Sequence, residues 1–456
     1  MKKFVTMIGF KEYIESLNKR LKNYIPNLDS PAEKALYKPL DIYNVPKKEA
    51  EEFKYKSIKY AFKYHYENNS FYRKFCKENK ICPDDIKNID DFNKIPLIPD
   101  KFYKTYPSGK EFAMWLATIY TGELPNIVIS KKDSYDDIIK KFNDAGLVIS
   151  YSSGTSGRHT FIPRDKRTFC NAEYGIAKSV ATMVYPFWEY NINGYLLMPN
   201  PFKTNIFAGK VCSVYFDAIK NVEVAIDREI TTDIIQAAMQ NNLKGKILRY
   251  VVQRENKKMI NRIIKWLREQ HKNGNKIAMV GAPFILYFVM EELEKNGEYF
   301  DFGEKGAVLT GGGWKIHEDK RMPVKEFRKK VEKVLGIPPE NCLDLYGMVE
   351  GNGWMVHCPE GHYLHIPTTY YHAMVIDENG EEVAYGEKGR FAFLDGLAKS
   401  YPGFIISGDE VRMLEECPAC HRSTPVLEPE VKRAKGDELR GCAEEMRRLL
   451  SMDMSR

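Results

Sequence analysis

The chain has no long hydrophobic run. Its most apolar stretch, "IAMVGAPFILYFVM" at 277–290, stops short of the ~20 residues needed to cross a bilayer. The first twenty residues, "MKKFVTMIGFKEYIESLNKR", carry lysines but neither a sustained apolar centre nor a small-residue cleavage site. They read as a helix, not a secretion signal, so no transmembrane segment and a cytoplasmic location are expected. Charge of one sign is also scarce: 69 basic and 62 acidic residues leave a net charge of +7 over 456 residues. The short basic clusters "RDKRTF" and "EFRKKVEKV" are interrupted by acids or apolar residues, as solvated helix faces are. No nucleic-acid partner is expected, although small anions suit such a surface. There is no internal repeat, no low-complexity tract and no G-x-x-x-x-G-K-[ST] phosphate loop.

What is present is a core. A hydrophobic content of 43%, with 12% aromatic residues, places the chain among globular proteins of two or three domains. Residues 1–145 are helical in pattern. From 146 to 360 short β-rich runs alternate with helical ones: "GLVISY", "GYLLMP", "NVEVAI", "IAMVGA", "GAVLTGGG" and "CLDLYG" are the strands. That rhythm predicts an α/β fold, a sheet covered by helices. Residues 361–430 read as a β-rich subdomain and 431–456 as a short C-terminal tail carrying Cys442.

Four short stretches carry chemistry. "SSGTSG" comprises Ser152, Ser153, Gly154, Thr155, Ser156 and Gly157, after one strand and before a helix. It is either a flexible loop or an anion cradle, with hydroxyls and backbone amides as donors. "GAVLTGGGWK" ends a β run in Gly311, Gly312 and Gly313, a tight turn or a shelf for a flat ring beside Trp314. In "DLYGMVEGNGW", Tyr346 and Gly347 precede Glu350, an ordinary glutamate or a hard-oxygen ligand for Mg²⁺ beside a triphosphate. In "GFIISGDEVRM", Asp409 is a turn residue or an acceptor for ribose hydroxyls.

In that order the four stretches resemble the motifs of adenylate-forming enzymes: acyl-CoA synthetases, firefly luciferase and peptide-synthetase adenylation domains. "NNSFYRKFCKENKI…IDDFNKIPLIPDKF" is similar to the start of phenylacetate–CoA ligases, and "TGGGWK" and "RAKGDELRGC" to the acyl-protein synthetases of bacterial bioluminescence. The resemblance implies a large N-terminal adenylate-forming domain with a β-rich subdomain and a truncated C-terminal segment. It implies ATP and Mg²⁺ as cofactors, with phosphates on residues 152–157, adenine on Gly311–Gly313 and Tyr346, ribose on Asp409 and Mg²⁺ on Glu350. A fatty or other carboxylic acid would become an acyl-adenylate, then pass to Cys442 and on to a reductase partner. Two positions depart from the pattern. Val349 stands where a threonine is usual, and Arg158 or Arg164 where a lysine follows the loop. Only 47 residues follow Asp409, which favours a protein thiol over CoA as acceptor. A phenylacetate-type CoA ligase, and a non-catalytic nucleotide- or acyl-binding subunit, are the other readings.

The residues fit this chemistry directly. A carboxylate becomes an electrophile once it displaces pyrophosphate from the α-phosphate of ATP, a step that depends on positioning and charge neutralisation. A thiolate then takes the acyl group. Arg433, Lys435 and Arg440 lie near Cys442 in sequence, although Cys442, Met446 and Leu449 also fall at the spacing of a plain apolar helix face.

Nine cysteines, an odd number, read as thiols, nucleophiles or metal ligands rather than disulfides. "HCPEGHYLH" and "CPACH" supply Cys358, His362, Cys417 and Cys420, a candidate structural Zn²⁺ site, with His357 and His421 in reserve. Reduced surface thiols are the alternative.

Overall fold

The computed structural model describes residues 2–153, 158–232 and 243–434. The chain forms two units, each assembled from separated segments. One comprises Met1–Leu21, Val180–Tyr346 and Val356–His362; the other Lys22–Ser179, Gly347–Met355 and Tyr363–Arg456.

Strands covered on both faces read as nearly continuous apolar runs, and "IAMVG" and "GAVLTG" fold accordingly. In the first unit Asn193–Pro199, Asn221–Ile226, Ile277–Gly281, Gly306–Gly311 and Cys342–Tyr346 form a parallel sheet. Numbered along the chain, the strands lie in the order 2-1-3-4-5. All five residues of Ile277–Gly281 are buried. Helices Pro283–Lys295, Val324–Leu335 and Leu243–Lys272 supply the other half of the core, with Ile285, Leu286, Val289, Val331, Val334, Ile263 and Leu267 packed against Leu197, Met279 and Val308. Truncating one such side chain to alanine costs about 2–5 kcal/mol. Proline opens Pro283–Lys295 where a helix needs no N–H, and Gly336 closes Val324–Leu335 in the left-handed region at φ 65°. A Cβ at Gly336 would meet the Asp301 backbone at 2.6 Å, so both conformation and space demand glycine.

The second unit is built on antiparallel strands Tyr371–Ile376, Lys388–Asp395 and Phe404–Leu414. Ile98–Pro99 pairs in parallel with the last of these, and Lys432–Arg433 pairs with it antiparallel. Val426–Leu427 joins the far end of the same strand and Leu364–His365 pairs with Val426–Leu427. Helix Lys47–Asn68 buries Ile58, Ala61, Phe62 and His65, and the rings of Phe62 and His65 stand 6.2 and 5.7 Å from that of Phe404. Asn69 then caps Ser70–Glu78 by accepting the Tyr72 N–H at 2.8 Å.

This mixed α/β architecture agrees with the alternation in the sequence. One local expectation is corrected. The hydroxyl–glycine loop does not run from a strand into a helix. It joins Leu147–Tyr151 to a second strand, Phe161–Asp165, in a separate two-stranded antiparallel sheet, and helix Lys166–Met183 follows that. Proline lacks the N–H that a central ladder needs, so "FIPRD" does not look like a strand. In a two-stranded sheet each strand is an edge, and Pro163 is tolerated opposite Ile149.

Candidate active site

In the first unit the parallel strands deliver the glycine-rich turn and Tyr346 to their carboxyl ends, where open α/β sheets hold ligands. Gly312 and Gly313 take φ values of 78° and 71°, a backbone that side-chain-bearing residues rarely adopt. Gly311 is constrained by space, since a Cβ there would stand 2.9 Å from Leu345 Cγ. Thr310 and Asp344 are paired in adjacent strands, and the Thr310 hydroxyl donates to the Asp344 carboxylate at 2.9 Å. Trp314 is not beside the glycine shelf as a stacking surface. It is 6% exposed in the core, 6.0 Å from the Phe327 ring and 5.5 Å from that of Tyr287. Leu196, Leu197, Ile285, Leu286 and Met290 are core residues, while Phe202 is 67% exposed.

In the second unit the base of the hydroxyl–glycine loop is closed by Ser152. Its N–H donates to the Thr160 carbonyl at 3.0 Å, and its hydroxyl accepts from the Thr160 N–H at 2.9 Å. That leaves the Ser152 hydroxyl proton to donate elsewhere. Ser153 follows it, half-buried. Gly154, Thr155, Ser156 and Gly157 lie outside the described residues. His159 holds the Ser152 carbonyl through Nδ1 at 2.7 Å, and burial lowers its basicity.

Glu350 is 7% exposed, and burial raises its carboxyl above the ordinary glutamate range. The nearby Lys104 cation opposes that rise, while Asp100 adds to it. The Thr160 hydroxyl lies toward the Glu350 carboxyl without reaching hydrogen-bond geometry. The backbone around Glu350 is held rigidly. Arg164 is fully buried and donates through Nη2 to the carbonyls of Val349 and Gly351 at 2.6 and 3.3 Å. Its Nε reaches Asn352 Oδ1 at 3.1 Å and its Nη1 reaches the Ser150 hydroxyl at 2.9 Å. The Tyr401 hydroxyl donates to the Glu350 carbonyl at 3.0 Å. Asn352 in turn donates twice to Asp395, whose carboxyl burial raises to about 6. Arg164 is therefore spent on the backbone, and it does not take the place of a lysine that reaches a phosphate. Arg158 donates to the Lys104 carbonyl at 3.2 Å and lies over the Tyr106 ring. Gly347 is required because a Cβ would stand 2.7 Å from the Trp354 ring.

Asp409 pairs in register with Arg433 across adjacent strands, and their side chains form an ion pair at 3.1 Å. Arg433 thus faces Asp409. Lys435, Arg440 and Cys442 lie outside the described residues.

The cysteine–histidine reading changes in one member. The ligand atoms of His365, Cys417 and Cys420 lie within 4.8 Å of one another, and Cys420 Sγ is 3.2 Å from His365 Nε2. His365 Nδ1 bonds the Thr424 hydroxyl at 2.8 Å, which leaves Nε2 for the cluster. The backbone amides of Ala419 and Cys420 point at the Cys417 sulfur, whose thiol burial pushes up. His362, expected from spacing to be the histidine ligand, belongs to the first unit, where its Nε2 bonds the Pro339 carbonyl at 2.9 Å. Cys358, also in the first unit, is fully buried and accepts the His362 N–H through its carbonyl at 2.8 Å. Register explains the difference between the histidines. The strand Leu364–His365 pairs with Val426–Leu427 and turns His365 toward the C-x-x-C segment.

Comparison with known proteins bears on the whole chain. The family model described as "Acyl-protein synthetase, LuxE" matches residues 148–451. A long-chain-fatty-acid–luciferin-component ligase of Vibrio harveyi is 24% identical over 396 residues, 85% of each chain. Its Aliivibrio fischeri counterpart is 22% identical over 413 residues, 89% of this chain and 91% of that one. Among solved structures, 2-hydroxyisobutyryl-CoA ligase in an open conformation, in complex with 2-HIB-AMP and CoA, superposes with a TM-score of 0.58 at 12% identity, over 90% of this chain and 74% of that one. The same ligase in its thioesterification state gives 0.57 at 15% identity, over 90% and 72%. At those identities the superpositions establish a shared fold.

Proposed function

The chain belongs to the acyl-protein synthetase (LuxE) family, and from that premise we propose that it activates a fatty acid with ATP and hands the acyl group to a protein cysteine. The observation that carries the reading is the buried Glu350 beside the base of the hydroxyl–glycine loop, its flanking carbonyls held by Arg164, an arrangement that suits a polyphosphate and its cation. The fatty carboxylate attacks the α-phosphate, forming acyl-AMP and breaking the bond to pyrophosphate. A cysteine thiolate then attacks the acyl carbonyl, forming a thioester and releasing AMP. Cys442 is the residue proposed for that thiolate, and an acyl-accepting reductase for the next acceptor.

ATP would lie with its phosphates on Ser152, Ser153 and the loop that follows them. Its adenine would rest on Gly311, Gly312, Gly313, Tyr346 and Gly347, and its ribose on Asp409. Glu350 fits Mg²⁺, because a carboxylate is the hard oxygen donor that this ion prefers, and the ion would neutralise polyphosphate charge. His365, Cys417 and Cys420 fit Zn²⁺ in donor type, with Cys358, seven residues before His365, proposed as the fourth ligand. Its role would be structural. We also place the protein in the cytoplasm; among the described residues no helix is long and apolar enough to cross a membrane.

The test is acylation of purified protein with ATP, Mg²⁺ and radiolabelled fatty acids, beside Cys442→Ser and Asp409→Ala, with and without CoA. Hydroxylamine-labile label on the wild type, absent from both variants, supports the reading. Product that appears only as a soluble CoA thioester replaces it with a CoA ligase.

A further inference from the structure

The segment 100–106 starts at the end of the stretch similar to phenylacetate–CoA ligases, and it lies against the residues that follow the hydroxyl–glycine loop in the second unit. The Asp100 N–H donates to the Ile406 carbonyl at 2.9 Å, extending the pairing of Ile98–Pro99 with the strand that carries Asp409. The Lys104 carbonyl accepts from Arg158, just past the hydroxyl–glycine loop, and the Tyr106 hydroxyl accepts the His159 N–H at 3.3 Å. Between these anchors Lys104 Nζ forms an ion pair with the Asp100 carboxylate, their side chains 20% and 13% exposed. The same Asp100 carboxylate and the Arg433 guanidinium converge over Gly408, where a Cβ would meet them at 3.1 and 2.9 Å.

A lysine held this closely by one carboxylate, beside a second buried carboxylate at Glu350, has the surroundings of a cation that exchanges partners. We propose that Lys104 binds the β- and γ-phosphates of ATP, leaving Asp100 when the nucleotide arrives, with Arg433 left to balance Asp100. This rests on the nucleotide site proposed above and adds to it the cation that the loop lacks, since Arg164 is committed to the backbone. A phosphate group carries more charge than a carboxylate and offers three acceptor oxygens, so the exchange is favourable in a half-buried setting.

Equilibrium binding of ATP and of AMP to the full chain, with pyrophosphate exchange measured in parallel, tests this. Lys104→Met is expected to weaken ATP about tenfold or more while AMP changes less than about threefold. Lys104→Arg should retain most of the ATP affinity, and Asp100→Asn should tighten ATP by about threefold or more. ATP affinity unchanged in Lys104→Met, or lost equally in Lys104→Met and Lys104→Arg, overturns the assignment, the second outcome pointing to packing alone. A wild type that binds no ATP overturns it too. A wild type that binds ATP in this pattern but exchanges no pyrophosphate with any fatty acid leaves Lys104 in place and removes acid activation instead.

Discussion

Arg164 Nη2 and the Tyr401 hydroxyl lie 3.0 Å apart, and together they grip the peptides on either side of Glu350 and the Glu350 carbonyl itself. Arg164 also stacks over the Tyr401 ring at 5.1 Å. The buried guanidinium loses hydration, which lowers its basicity, and recovers the loss through five acceptors in a fixed fork geometry.

Replacing Arg164 by lysine keeps the charge but leaves most of those acceptors unpaired. The expected cost is about 2–4 kcal/mol of stability, with adenylation lost before the fold is. A urea titration beside a pyrophosphate-exchange assay checks both. A lysine variant with wild-type stability would show that the fork is not what holds the loop.

Val349 removed a hydroxyl from the expected motif, and the structure offers the Thr160 hydroxyl in the same neighbourhood. Thr160→Val should slow acyl-adenylate formation about tenfold through the lost dipole beside Glu350, while the melting temperature barely moves. Thr160→Ser should keep most of the rate. A loss in Thr160→Ser with none in Thr160→Val would point to the methyl group instead.

Zinc gives a prediction that separates the two histidines. His365→Ala or Cys417→Ser should lose bound metal, measured by elemental analysis, and melt several degrees lower. His362→Ala should keep the metal. Retention by His365→Ala and loss by His362→Ala would restore the assignment drawn from spacing.

His65 sets an acid limit on stability. It is fully buried between the Thr121 hydroxyl and the Ala398 carbonyl, and burial lowers it to about 3. The folded state therefore requires the neutral ring, while the unfolded chain protonates near pH ~6.5. This contribution is complete above pH ~6.5 and declines as pH falls toward 3, by up to about 5 kcal/mol. Denaturant midpoints of wild type and His65→Gln should differ in pH slope across that window and run parallel above it.

Legibility followed the range of the interactions. The parallel strands of the first unit were plain because a strand buried on both faces needs nothing but apolar residues, and each such run is local. Glu350 was visible because glycines and a strand end mark its loop. The groups that hold it were not: Arg164 sits 185 residues from Val349 and 237 from Tyr401, and no periodicity encodes a pairing across such intervals. Phe161–Asp165 was hidden by its proline and by an arginine whose burial is justified mainly by distant acceptors. The histidine of the cysteine cluster was misplaced by three positions because sequence spacing cannot show which way a two-residue strand faces. Segment 100–106 only begins within the stretch similar to phenylacetate–CoA ligases, and nothing in it marks a cation for phosphate.

The pairing of Lys432–Arg433 with Asp409–Glu410, continued by the Ala434 N–H on the Gly408 carbonyl at 3.1 Å, fixes where the last part of the chain departs. Seven residues lie between Ala434 and Cys442, so chain length alone keeps the thiol on a leash of at most about 28 Å from Ala434. If Cys442 is the acyl acceptor proposed above, a thiol tethered that closely would meet an acyl-adenylate held at Asp409 at millimolar effective concentration. Inserting glycine–serine segments after Ala434 should therefore dilute the thiol progressively, and the rate of self-acylation would read out the length of the leash.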